Sequence, residues 1–82
     1  MPIRLYRFHC TDGHDLVADR IGRRLANVAQ MRVHADRVAL KLMERVAQRF
    51  DWASWQVDVY DAKGRRVWVT AFVDVDADLE AA

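Results

Sequence analysis

Asn27-Val28-Ala29-Gln30-Met31-Arg32-Val33-His34-Ala35-Asp36-Arg37-Val38-Ala39-Leu40-Lys41-Leu42-Met43-Glu44-Arg45-Val46-Ala47-Gln48-Arg49-Phe50 is the stretch around which the fold has to be built. Asn27 is a favourable N-cap, and Gln30 three residues later completes a capping box, because its amide reaches back to a backbone donor the first turn leaves orphaned. At 3.6 residues per turn, Val28, Met31, Ala35, Val38, Ala39, Leu42, Met43, Val46 and Phe50 share one face. With neither Gly nor Pro inside, the pattern predicts a helix to about Arg49, roughly 30 Å long or slightly more. Such a stripe needs an apolar surface to lie on.

The flanking segments supply it. Ile3 to Cys10 has no helical stripe; Tyr6, Phe8 and Cys10 fall on one side and Ile3 and Leu5 on the other, as in an interior strand. Asp12-Gly13 is turn chemistry, and a short strand from about Asp15 to Ala18 follows. A turn at Asp19-Arg20-Ile21-Gly22 leads into a brief extended piece from Arg23 to Leu25. Beyond the helix, Trp55, Val57 and Val59 alternate with polar residues. Asp61-Ala62-Lys63-Gly64 fits a hairpin loop ending in a left-handed glycine, and Arg66 to Val73 returns as a β-branched and aromatic partner strand. The expected fold is α+β: a ββαββ two-layer sandwich with one long helix on one face of a mainly antiparallel sheet. Residues 1–74 are read as one domain and 75–82 as a short acidic tail that frays.

Composition agrees with a small globular domain and narrows the function classes. Hydrophobic residues make up 52% of the 82 and charged residues 30%, which excludes a disordered chain, and no apolar run is long enough for a membrane span or a leader. A cytoplasmic location without membrane attachment is therefore expected. The single cysteine, Cys10, excludes an internal disulfide framework and a multi-cysteine zinc site. The net charge of +1 conceals a division: residues 1–49 carry 10 Lys and Arg against 5 Asp and Glu, residues 50–82 carry 3 against 7.

Little in the chain points to chemistry. His9-Cys10-Thr11-Asp12-Gly13-His14-Asp15 holds potential metal ligands, but strand alternation sends His9 and Cys10 to opposite sides and the spacing suits a turn. No catalytic residue, cofactor or metal is assigned, and a non-enzymatic role is expected. An internal echo, Asp-x-x-Gly-Arg-Arg-apolar, occurs at Asp19 to Leu25 and again at Asp61 to Val67. Its plain reading is one good turn used twice; its functional reading is an anion-binding rim of Arg23, Arg24, Arg65 and Arg66 for nucleic acid or another polyanion. A second apolar stripe on the helix, Ala29, Val33, Leu40 and Ala47, together with Trp68, is surplus to one core and suits a symmetric homodimer. The preferred reading is a small, non-catalytic protein-interaction module that self-associates and docks a second protein. Polyanion binding is the alternative.

Tyr6-x-Phe8-His9, Asp12-Gly13, Asp19-x-x-Gly22, Leu25 before the helix, then Trp55-x-Val57-x-Val59-x-Asp61-x-x-Gly64-Arg65-x-Val67 and Phe72 together resemble a family of very short bacterial proteins common in alphaproteobacteria, the domain of unknown function DUF6894. The resemblance spans nearly the whole chain and implies fold more than activity, since its motifs are turns and strand apolars. The order of a strand pair, a helix and further strands also resembles antitoxins of the HicB type, which implies a small ribonuclease as partner.

Overall fold

Alternation along β1 (Arg4–Thr11) buries Tyr6, Phe8 and Cys10 on one side, and the rest of the fold is arranged around that strand. The computed structural model describes residues 2–46 and 51–75. β2 (Leu16–Val17), β3 (Arg23–Leu25), α1 (Val28–Arg45), β4 (Gln56–Asp61) and β5 (Arg66–Ala71) follow β1, giving a five-stranded sheet in the order β2-β1-β4-β5, with β3 also on β1. All pairings are antiparallel. The fold is thus α+β, with one helix against a mainly antiparallel sheet. The interrupted arm between the first turn and the helix forms two strands, β2 beside Cys10 and Thr11 and β3 beside Arg4, Leu5 and Tyr6. β1 is interior, as its two apolar sides require.

Register explains the core. Phe8 lies opposite Val59, and Cys10 opposite Val57, while Val59 in turn faces Trp68 on β5. Directly opposed residues share a face, so these side chains form one apolar surface. Met31, Ala35 and Ala39 of α1 close over it, the two alanines completely enclosed and thin enough to let the helix approach closely. The N-cap forms as predicted: Asn27 Oδ1 accepts from Gln30 N–H at 2.8 Å, and Gln30 Oε1 accepts from Ala26 N–H at 2.9 Å.

Four details differ from the sequence pattern. Val28 is 52% exposed because the first helical residue overhangs the sheet. The helix ends at Arg45, with Val46 already extended, although the apolar repeat runs on. Asp58, on the polar side of β4, is buried, its carboxylate accepting from Gln56 Nε2 at 2.7 Å with the Arg66 guanidinium 3.9 Å away. β5 stops at Ala71, and residues 72–75 turn helically, which brings Phe72 and Val75, three apart, into the core. The core thereby includes Val75, a residue the pattern assigned to the tail. The expected continuation of the helix through Arg49, Phe50 of the core stripe, Ala47 of the second stripe and the acidic tail from Asp76 lie outside the described residues.

The echoed turns share their local physics. Asp19 Oδ1 accepts from the N–H groups of Ile21 and Gly22, and Asp61 Oδ1 from those of Lys63 and Arg65. Gly22 and Gly64 then take φ +79° and +80°, the left-handed region that a Cβ disfavours. Their surroundings differ. A Cβ on Gly64 meets open space, whereas one on Gly22 would sit 2.9 Å from both Leu5 Cδ1 and the Tyr6 carbonyl oxygen. Gly64→Ala is therefore expected to cost ~1 kcal/mol, and Gly22→Ala about 2–4 kcal/mol because a backbone oxygen cannot give way. Urea titration of the two variants checks this; equal losses would mean that the first turn does not press on β1.

Candidate functional site

The two long edges of the sheet are treated differently by the chain. On the β1 side, β2 and β3 cover the two ends of the strand and leave a gap at Phe8, which the Asp19 carboxylate fills by accepting the Phe8 N–H at 3.1 Å. The neighbours of Phe8 complete a clasp: Arg7 donates to the Arg20 carbonyl at 3.0 Å, and His9 Nδ1 accepts the Asp19 N–H at 2.9 Å. Burial raises the Asp19 carboxyl, but the backbone donors of Gly22, Phe8 and Ile21, with the nearby His9, hold it below the ordinary carboxylate range. That edge is sealed by the protein's own groups.

The opposite edge is β5. Phe72 N–H bonds back to the Trp55 carbonyl at 3.0 Å, so by antiparallel alternation Trp68 and Thr70 turn their backbone groups toward β4. Val69 and Ala71 turn theirs outward, where no described strand pairs with them. The strand carries exposed Val67 and Val69, at 43% and 39%, and only one charge, Arg66. A register irregularity opposite Val59 and Tyr60 falls near its start. Trp68 sits on the helical side under the Arg32 guanidinium, 4.1 Å from its ring, and packs against the core. Of the second helical stripe, Ala29 and Val33 are exposed and Leu40 is partly buried against the core.

The four arginines of the echo do not converge. Arg23 and Arg24 belong to β3 at one edge of the sheet, while Arg65 precedes β5 and Arg66 begins it at the other. Within β3, Arg23 opposes Tyr6 on the helical side and Arg24 opposes Leu5 on the outer side. Arg65 Nε donates to Asp61 Oδ2 at 3.0 Å, and Arg66 leans on Asp58. Their charge is divided between two edges and two faces.

Cys10 is enclosed, and burial, then the carboxylates of Asp58 and Asp19, push its thiol up to about 11. At neutral pH it is a protonated packing group rather than a thiolate. The residues after it form a turn: Asp12 Oδ1 accepts the N–H groups of His14 and Asp15, and Thr11 Oγ1 donates to the Asp15 carbonyl. Among the described residues, no three His, Cys, Asp or Glu side chains stand close enough to hold a metal ion. No described helix is long and apolar enough to cross a membrane.

Two of the surface concavities adjoin these elements. One, about 310 Å³, lies on the outer face of the sheet among Arg7, His9, Asp58 and Tyr60, with the His9 and Tyr60 rings 5.4 Å apart. The other, about 440 Å³, runs between α1 and the clasped segment 17–22, and contains Phe8, Cys10, Val38 and Leu42 with His34, Lys41 and Arg45 along the helical wall. His34 packs edge-on to Phe8 at 4.6 Å; burial, with Arg23, Arg37 and Lys41 outweighing Asp19, holds its imidazole below the ordinary histidine value. Neither the groove nor the free edge was apparent from the sequence. Both depend on where distant segments lie, and the one local signal was the doubled Asp-x-x-Gly turn.

Among the described residues, an antiparallel sheet roofed by one long helix, sealed along one edge and with no strand beside the other, defines the structural class. Residues 5–73 match the family model described as domain of unknown function DUF6894, and the chain belongs to that family. Among the curated proteins and the solved structures compared with it, none matches.

Proposed function

We propose that the protein is a protein-interaction module that self-associates through β5. The observation that carries this reading is the contrast between the edges: two strands and a carboxylate close one, while the outward backbone groups of Val69 and Ala71 have no strand beside them among the described residues. An open edge bearing exposed valines is a template for another strand. A second copy is the partner favoured here, because a strand with a single charge can pair with its own twofold mate without setting like charges opposite each other along its length. The exposed Ala29 and Val33 on the helix offer a second apolar strip, and the same β5 edge suits an extended segment of another protein.

Sedimentation equilibrium at tens of micromolar tests the proposal. The wild-type chain is expected at dimer mass and Val69→Lys at monomer mass, with its circular dichroism unchanged, since Val69 is an exposed position. A monomeric wild type would contradict self-association. Dimers lost in Val33→Lys but kept in Val69→Lys would move the contact to the helical stripe.

A further inference from the structure

The groove between α1 and segment 17–22 has the makings of a ligand site separate from β5. Its volume of about 440 Å³ falls in the range of small-molecule sites, roughly 300–1,000 Å³. Its floor is apolar, with Phe8 enclosed and Val38 and Leu42 partly buried, and Val17, 47% exposed, stands across from the helix. Lys41 and Arg45 follow at helical spacing on the same wall, one turn apart. Asp19 is the groove's one carboxylate, and its oxygens are already taken by the N–H groups of Phe8, Ile21 and Gly22. Among the described residues, neither cation has an ion-pair partner. A greasy trough with two cations on its helical wall, neither ion-paired among the described residues, calls for a ligand with an apolar body and an anionic group.

We infer that this groove binds a small acyl carboxylate, its chain lying along Phe8, Val38 and Leu42 and its head held by Lys41 and Arg45. The apolar part is recognised by burial, and the carboxylate by charge-assisted hydrogen bonds, of which arginine can give two in parallel. Segment 17–22 forms the far wall because the Asp19 clasp pins it to β1.

Titration of the full chain with octanoate, followed through the methyl resonances of Val38 and Leu42, tests the assignment. Saturable shifts at millimolar octanoate are expected, with octanol at least tenfold weaker and acetate without effect. The double substitution Lys41→Glu, Arg45→Glu alters two exposed residues, so the fold is retained, and it should weaken octanoate about tenfold or more. Absence of saturable shifts, equal binding of octanol, or undiminished binding by the double variant would each overturn the proposal. Val69→Lys, on the far edge of the sheet, should bind octanoate as the wild type does, which keeps this test separate from that of self-association.

Discussion

Phe72→Ala is expected to remove ~3–5 kcal/mol of folding free energy, the cost of emptying an enclosed aromatic site that cannot collapse. Phe72 has no exposed surface, stacks on Trp52 with the ring planes 27° apart, and lies 6.1 Å from the Trp55 ring. Its backbone N–H is also the last bond joining the β5 strand to the β4 side, so the ring and the amide hold the same corner. Domains of this size have roughly 4–12 kcal/mol in total, so the loss takes a quarter of the stability or more. Thermal denaturation should show a midpoint lowered by roughly 15–30 °C. Its neighbour Val73 is 47% exposed, and Val73→Ala should change stability by less than about 0.5 kcal/mol. Comparable losses at the two positions would mean that the helical turn at 72–75 does not face the core.

Asp19→Ala is the second large effect, at ~2–3 kcal/mol, from one carboxylate rather than an apolar group. Three backbone donors lose their acceptor at once, and the Phe8 N–H has no strand beside it to take over. Removing the carboxylate should also loosen segment 19–22 from Arg7 and His9. Acid gives the same information with a definite sign. Because the folded Asp19 titrates below the ordinary carboxylate value, its contribution is present above that value and disappears as the pH falls through the lower, folded one. Asp19→Asn should therefore flatten this part of the acid limb of a stability–pH profile and leave the neutral region with a smaller, constant deficit. An unchanged acid limb would show that the carboxylate does not cap β1.

Strand identities and the helix start could be read from the residues, because alternation in Tyr6, Phe8 and Cys10 and the pairing of Asn27 with Gln30 are local signals. The helix end was not legible: the apolar repeat continues past Arg45, and neither Gly nor Pro marks the point at which Val46 turns extended. Val75 looked like the first residue of an acidic tail, and nothing nearby shows that it turns back under the sheet. Asp58 read as a solvated strand position, yet Gln56 and Arg66 cover it from its own strand and the next.

The candidate surfaces were harder still to foresee. β5 was recognisable as a strand, but whether a strand is interior or edge depends on sheet order, which alternation does not encode. The groove exists because Asp19 reaches a residue eleven positions earlier, and its turn chemistry alone gave no hint of that reach. The echoed arginines show the reverse case, in which a clear sequence signal spreads over two edges and two faces once folded.

Self-association through β5 is tested most directly by amide hydrogen exchange at Val69 and Ala71, the residues whose backbone groups point away from β4. Exchange at both is predicted to slow as protein concentration rises from well below to well above the dimer dissociation constant, while exchange at the exposed turn amide of Lys63 stays constant. Fast exchange of Val69 and Ala71 that does not depend on concentration would contradict the pairing of this edge with a second copy.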